Sequence, residues 1–204
     1  LVRWNHPTRG SLSPDAFVPL FERNHLILKL DRFMWERTCR DLAAWQQAGH
    51  PAVPVSVNVS RVDVYQRDLA EQLGELLDRL GIPRNMLPLE ITESAYCDDP
   101  AQLNDTIRRL RQAGFLVEMD DFGSGWSSLN ALTELPVDGV KLDRKFLRDL
   151  ETERGERFVR HLVEMIGDLG IPMTAEGVES ARQASFLREL ACRSAQGLYY
   201  APPM

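Results

Sequence analysis

Six positions in this sequence carry a polar residue at the same kind of place. Asn58, Glu90, Asp120 with Asp121, Lys141, Glu176 and Gln196 each lie at or just past the C-terminal end of a short apolar run. Carboxylates and an amide oxygen are hard ligands, suited to Mg²⁺ or Mn²⁺. Glu90, Asp120, Asp121 and Glu176 brought close together would repel one another strongly without a cation. An adjacent pair such as Asp120-Asp121 can serve two ions, one carboxylate bridging and the other terminal. Two metals about 3.5–4 Å apart can activate a water and stabilise the leaving oxygen in phosphodiester hydrolysis. Lys141 would add a positive charge near that water or the phosphate.

Taken singly, each residue has an ordinary reading. An Asn or Glu at a strand end is usually a cap or turn residue, and an Asp pair or a Lys-Leu-Asp-Arg run is usually solvated. Glu90 resists this, because Leu89 and Ile91 flank it and a buried carboxylate needs a partner. Glu176, after Thr174-Ala175, resists it too. The alignment of all six positions is what makes coincidence a poor account. The Asp121–Ser128 stretch, DFGSGWSS, is glycine-rich but lacks both the P-loop lysine spacing and GxGxxG. It reads as a loop tied to Asp121, which Glu93 could anchor. His6, His25, His50 and His161 show no zinc-hydrolase spacing and read as surface or capping residues. Trp35 and Trp45 read as core, and no GxSxG supports a serine hydrolase.

The elements that must position these residues alternate. Strand-like runs cover Leu1–Trp4, Val53–Val59, Leu87–Thr92, Phe115–Asp120, Gly139–Leu142, Pro172–Ala175 and Gly197–Tyr200. Between them, Leu69, Leu73, Leu76, Leu77 and Leu80 share a helical face. So do Leu103, Ile107 and Leu110, and so do Phe158, Leu162, Ile166 and Leu169. Ser13-Pro14 reads as a helix start, and Gly49, Gly81, Gly114 and Gly170 as C-terminal stops. Strand–helix alternation predicts a parallel sheet covered by helices. An open doubly wound sheet would spread the six polar positions along an edge. A (β/α)8 barrel converges its strand ends on one mouth, so the α/β barrel is the expectation.

The chain has 204 residues, 44% hydrophobic and 26% charged, which fits one globular domain. Its net charge of −6 argues against binding to a DNA or RNA duplex. Cys39, Cys97 and Cys192 are widely spaced with no CxxC, so a reducing cytoplasmic setting is expected. The abrupt Leu1-Val2-Arg3-Trp4 start and Ala201-Pro202-Pro203-Met204 end suggest a piece of a longer protein, whose remainder could carry a membrane anchor.

In motif and order the sequence resembles the EAL-domain family, bacterial cyclic di-GMP phosphodiesterases. Leu1-Val2-Arg3-Trp4 is similar to the tail of EALxRW, Val57-Asn58-Val59-Ser60 to VNxS, and Glu90–Ser94 to ExTES. Asp120–Ser128 resembles DDFGTGYSS, Lys141–Arg144 resembles KxDR, Ala175–Glu179 resembles AEGVE, and Gln196-Gly197 the last strand's QG. The resemblance implies a modified TIM (β/α)8 barrel of EAL type over residues 1–204. Its antiparallel first strand would precede Leu1, and a closing helix would follow Met204. It implies hydrolysis of cyclic di-GMP to linear pGpG with Mg²⁺ or Mn²⁺ in a two-metal site. Asn58, Glu90, Asp120, Asp121 and Glu176 would be metal ligands. Lys141 would orient or activate the water, Gln196 would support it, and Glu93 would hold the loop after Asp121. Leu1, Arg3 and Asp143 would lie at the substrate, with Glu179 behind the ligands. Homodimerisation through that loop and an upstream GGDEF or sensory domain are implied as well.

Ser124 stands for the family's Thr and keeps its hydroxyl, while Trp126 replaces Tyr and removes a phenol. The motif's own glutamate would lie before Leu1, and its loss would make the domain a catalytically inactive cyclic di-GMP receptor. A different barrel enzyme with one Mg²⁺ and a lysine base is a third reading, which the adjacent Asp pair disfavours.

Overall fold

Four of the six strands of the central sheet place a polar side chain between buried apolar neighbours. Val57 and Val59 are buried around Asn58, Leu89 and Ile91 flank Glu90, Val117 and Met119 flank Glu118, and Val140 and Leu142 flank Lys141. Successive side chains of a strand point to opposite faces. One face therefore builds the core under the helices, and the other collects the polar residues.

The computed structural model describes residues 2–51, 53–123, 128–192 and 194–202, with backbone alone at 128 and 129. A short antiparallel hairpin, β1 (Trp4–His6) and β2 (Gly10–Leu12), comes first. Helices α1 (Pro14–Arg23) and α2 (Ile27–Gln47) follow. Then come β3 (Val57–Val59), α3 (Arg61–Val64), α4 (Leu69–Leu80), β4 (Leu89–Thr92) and α5 (Pro100–Gln112). After them lie β5 (Val117–Phe122), α6 (Ser128–Glu134), β6 (Gly139–Leu142) and α7 (Arg144–Arg148). The described chain closes with α8 (Glu153–Asp168), β7 (Met173–Ala175), α9 (Ala181–Glu189) and β8 (Ser194–Ala195). Strands β3 to β8 form one parallel sheet in chain order.

Five expectations are corrected. The Leu1–Trp4 run does not belong to the main sheet. Its described end opens a hairpin, turned where the Thr8 amide donates to His6 Nδ1 at 3.2 Å, and Trp4 packs edge-on against Phe17. The last strand is Ser194–Ala195 and not Gly197–Tyr200. A side chain at Gly197 would run into the Val178 backbone, and Gly197–Tyr200 forms a turn closed by Tyr200 N–H on the Gly197 carbonyl at 3.0 Å. Trp35 is core but Trp45 is 46% exposed, lying past the last buried turn of α2. On α8 the buried stripe is Val159, Leu162, Val163 and Ile166; Phe158 and Leu169 flank it, the former 56% exposed. The proposed strand from Val53 also shortens to Val57–Val59.

The other helix readings hold. Leu69, Leu73 and Leu77 are buried on α4, and Leu103, Ile107 and Leu110 on α5. Ser13 precedes Pro14 at the start of α1, without a side-chain cap hydrogen bond.

Candidate functional site

The centre of the site is a bulge in β5. Met119 pairs with Val140 and Phe122 with Leu142, so three steps along β5 match two along β6. A bulge leaves one residue unpaired and turns the strand. Here Asp121 takes up the excess with a left-handed φ of +53°. Adjacent residues of a regular strand would face apart. The bulge instead brings oxygens of Asp120, Asp121 and Glu176 within 4.8 Å of one another. The Asp121 amide donates to Asp120 Oδ1 at 2.9 Å, fixing the first carboxylate.

Lys141, in the neighbouring strand, is 7% exposed. Its Nζ donates to Glu90 Oε1 at 2.7 Å, pairs with Glu176 Oε1 and lies 3.7 Å from Asp120 Oδ1. Gln196 Nε2 holds the same Glu176 oxygen at 2.6 Å. Burial alone would lower the Lys141 pKa, but Glu90, Asp120 and Glu176 outweigh it and hold the ammonium above its usual range. Asp120 moves the other way. Burial pushes its carboxyl up to about 7; Lys141 opposes this, and Glu176, Glu90 and Asp121 reinforce it. Asp121 is also raised, by burial and then by Asp143, against Lys145, Lys141 and Arg144. One ammonium does not neutralise this group of carboxylates. A donor set of clustered carboxylates that resist ionisation fits divalent cations, which would supply the missing positive charge.

The structure brings Asn58, Glu90, Asp120, Asp121, Lys141, Glu176 and Gln196 to neighbouring strand ends. Asn58 pairs in register with Glu90, and its carbonyl accepts from Trp35 Nε1 at 2.9 Å. Glu93, 1% exposed, accepts the Gly123 amide on Oε2 at 2.9 Å, just past Asp121. Asp143 is the N-cap of α7, accepting the Lys145 amide at 2.7 Å, and its charge acts on Asp121. Arg3 lies before the hairpin and donates to the Val2 carbonyl at 3.0 Å. The Glu179 amide donates to Gln183 at 2.7 Å. Leu1, Ser124 and Trp126 lie outside the described residues, as does the part of the loop assigned to dimerisation.

Two features were missed in the sequence. Glu118 faces the same side of β5 as Asp120 and pairs in register with Glu90. Ser56 Oγ lies 3.5 Å from Glu118 Oε2. Burial and then Glu90 raise its pKa, with Lys141 and Ser56 opposing. Strand alternation from Asp120 would have found it. The second is a buried carboxyl pair, Asp31 on α2 and Asp63 on α3, beside the turn that follows Asn58. The Ser60 amide donates to Asp31 Oδ2 at 3.0 Å, and Ser60 Oγ donates to Asp63 Oδ2 at 2.9 Å.

Parallel strands covered by helices, with a lysine-centred acidic cluster at the strand ends, mark an α/β barrel with an acidic site at its mouth. Within that class, the chain belongs to the EAL domain family, whose model matches residues 1–203. Its fold is the modified TIM barrel of that family, six of whose strands form the parallel sheet. The cyclic di-GMP phosphodiesterase NbdA of Pseudomonas aeruginosa is 38% identical over 205 residues, covering 100% of this chain and 26% of its own length. An uncharacterized signaling protein of Caulobacter vibrioides is 39% identical over 198 residues, covering 97% and 24%. The chain thus spans about a quarter of the length of these curated relatives. Among solved structures, the PaMucR phosphodiesterase in its c-di-GMP complex superposes with a TM-score of 0.93 at 33% identity, covering 100% of this chain and 83% of that one. The EAL enzyme Bd1971, in its cAMP- and cyclic-di-GMP-bound form, gives 0.92 at 26% identity, covering 99% and 56%. No helix among the described residues is long and apolar enough to cross a membrane.

Proposed function

We propose that this domain hydrolyses cyclic di-GMP to linear pGpG with Mg²⁺ or Mn²⁺, as the output module of a longer signalling protein. The observation that carries the reading is the bulge that sets Asp120 and Asp121 side by side with Glu176, against a buried Lys141. Asp120, Asp121 and Glu176, with Glu90 and Asn58 beside them, would hold the cations. When bound, these would supply Lewis-acid activation of water and neutralise charge on the phosphate.

The chain's own residues have distinct tasks. Lys141 orients the attacking water and faces the charge that develops on the phosphoryl oxygens. Glu90 and Glu176 fix the lysine, and Gln196 fixes Glu176. Glu93 holds the turn after Asp121 through the Gly123 amide. Water oxygen forms the new bond to phosphorus, and the bond to the ribose 3′ oxygen breaks. That oxygen leaves as a hydroxyl after taking a proton, so the linear product keeps a 5′ phosphate. Arg3, Asp143 and Leu1 are assigned to the substrate by family resemblance.

The test is incubation of the protein with cyclic di-GMP and Mn²⁺, followed by chromatography. Linear pGpG that disappears on chelation and in Asp120→Asn is the expected result. Binding of cyclic di-GMP without product would assign the domain as a receptor instead.

A further inference from the structure

Asp121 adopts a left-handed conformation that is uncommon for a residue with a Cβ, and its surroundings hold it there. Phe122, the next residue, is 1% exposed and anchored in the core. Its carbonyl accepts the Asp143 amide, a long bond of 3.4 Å. Gly123 follows with φ +88°. One side of Gly123 is tied by its amide to Glu93 Oε2. The other side is covered by Phe146 of α7, whose ring occupies the space a Cβ on Gly123 would need. Phe146 is backed by Phe158 of α8, the two rings stacked with centroids 5.9 Å apart and planes 19° apart.

We infer that Phe146 is a positioning residue for Asp121, wedged between Phe158 and Gly123 so that the turn cannot relax and carry the Asp121 carboxylate away from Asp120 and Glu176. A hydrogen bond fixes an amide but leaves the chain free to pivot about it. The half-buried Phe146 ring fills the space beside the Gly123 Cα and limits that pivot by steric contact. The inference rests on the proposed role of Asp121 as a metal ligand.

The test compares Mn²⁺ binding by calorimetry in the wild-type protein, Phe146→Ala, Asp121→Asn and the double variant, alongside melting temperature and steady-state turnover. Phe146→Ala should weaken Mn²⁺ binding about tenfold, the lower end of what losing a ligand's support costs. It should raise the Mn²⁺ concentration for half-maximal rate more than it lowers the rate at saturating Mn²⁺. In the Asp121→Asn background it should add little, because both changes act on one ligand. Phe146→Leu keeps the apolar contact and should fall between wild type and alanine; it carries the test if the alanine variant does not fold. Equal Mn²⁺ affinity in wild type and a folded Phe146 variant, with Asp121→Asn impaired, overturns the role of Phe146 alone. Absence of Mn²⁺ binding by the wild-type protein overturns this inference and the metal site together.

Discussion

Lys141 carries one positive charge among Glu90, Asp120 and Glu176, in a space almost closed to water. Breaking a buried ion pair by removing one partner leaves the other uncompensated. Lys141→Met should therefore destabilise the metal-free protein by about 3 kcal/mol, roughly 6–12 °C in melting temperature for a chain of this size. Mn²⁺ should recover much of that loss, since a divalent cation replaces the missing charge. The variant's Mn²⁺-induced shift should exceed that of the wild type, while its turnover stays low. Equal shifts in the two proteins would show that the lysine does not share its carboxylates with a cation.

Between helices α2 and α3, the paired carboxyls of Asp31 and Asp63 make stability depend on pH. Burial and then the hydrogen bond that protonated Asp31 donates to Asp63 push Asp31 from 3.8 up to about 7, with the negative charge of Asp63 adding to them and Ser60 opposing. Asp63 is raised too, mainly by burial, with Asp31, Ser60 and Arg32 lowering it. The folded protein thus holds a proton that the unfolded chain releases near pH 4. That contribution is complete below the unfolded value and disappears as pH rises through about 7. Asp31→Asn supplies a permanent N–H in place of the shared proton. It should flatten the change in stability between pH 4 and pH 7, seen in urea titrations at fixed temperature; an unchanged slope would place the proton elsewhere. How much an element shows in sequence depends on the distance over which it is decided. Glu90 between Leu89 and Ile91 announces a functional strand locally, and the leucine stripe of α4 announces its helix. The Asp120-Asp121 bulge depends on register against β6, and the turn at Gly197 on the approach of Val178. No local pattern encodes either. Asp31 looks like any solvated helical aspartate until α3 is folded against it.

At the scale of the whole molecule, the candidate ligands are not confined to one segment. Asn58 comes from β3, Glu90 from β4, the aspartates from β5 and Glu176 from the end of β7, with Lys141 of β6 between them. A cation held by such a set adds a further cross-strand link to the backbone ladders and the Lys141 ion pairs. Ligands that bind the native state alone stabilise it by mass action, by about 2.7 kcal/mol at a hundredfold excess over Kd. Because the donors span the sheet, that stabilisation should reach β3 through β7 together. The β1–β2 hairpin lies in a separate sheet and supplies none of these cation ligands. Hydrogen exchange with and without Mn²⁺ should therefore slow amides across the parallel sheet while leaving those of Trp4–Leu12 unchanged. Asp120→Asn should remove the effect throughout. Protection limited to the β5 turn would mean that the cation sits on the Asp120-Asp121 bulge alone. In that case the remaining strand-end residues would serve to bind and orient the nucleotide.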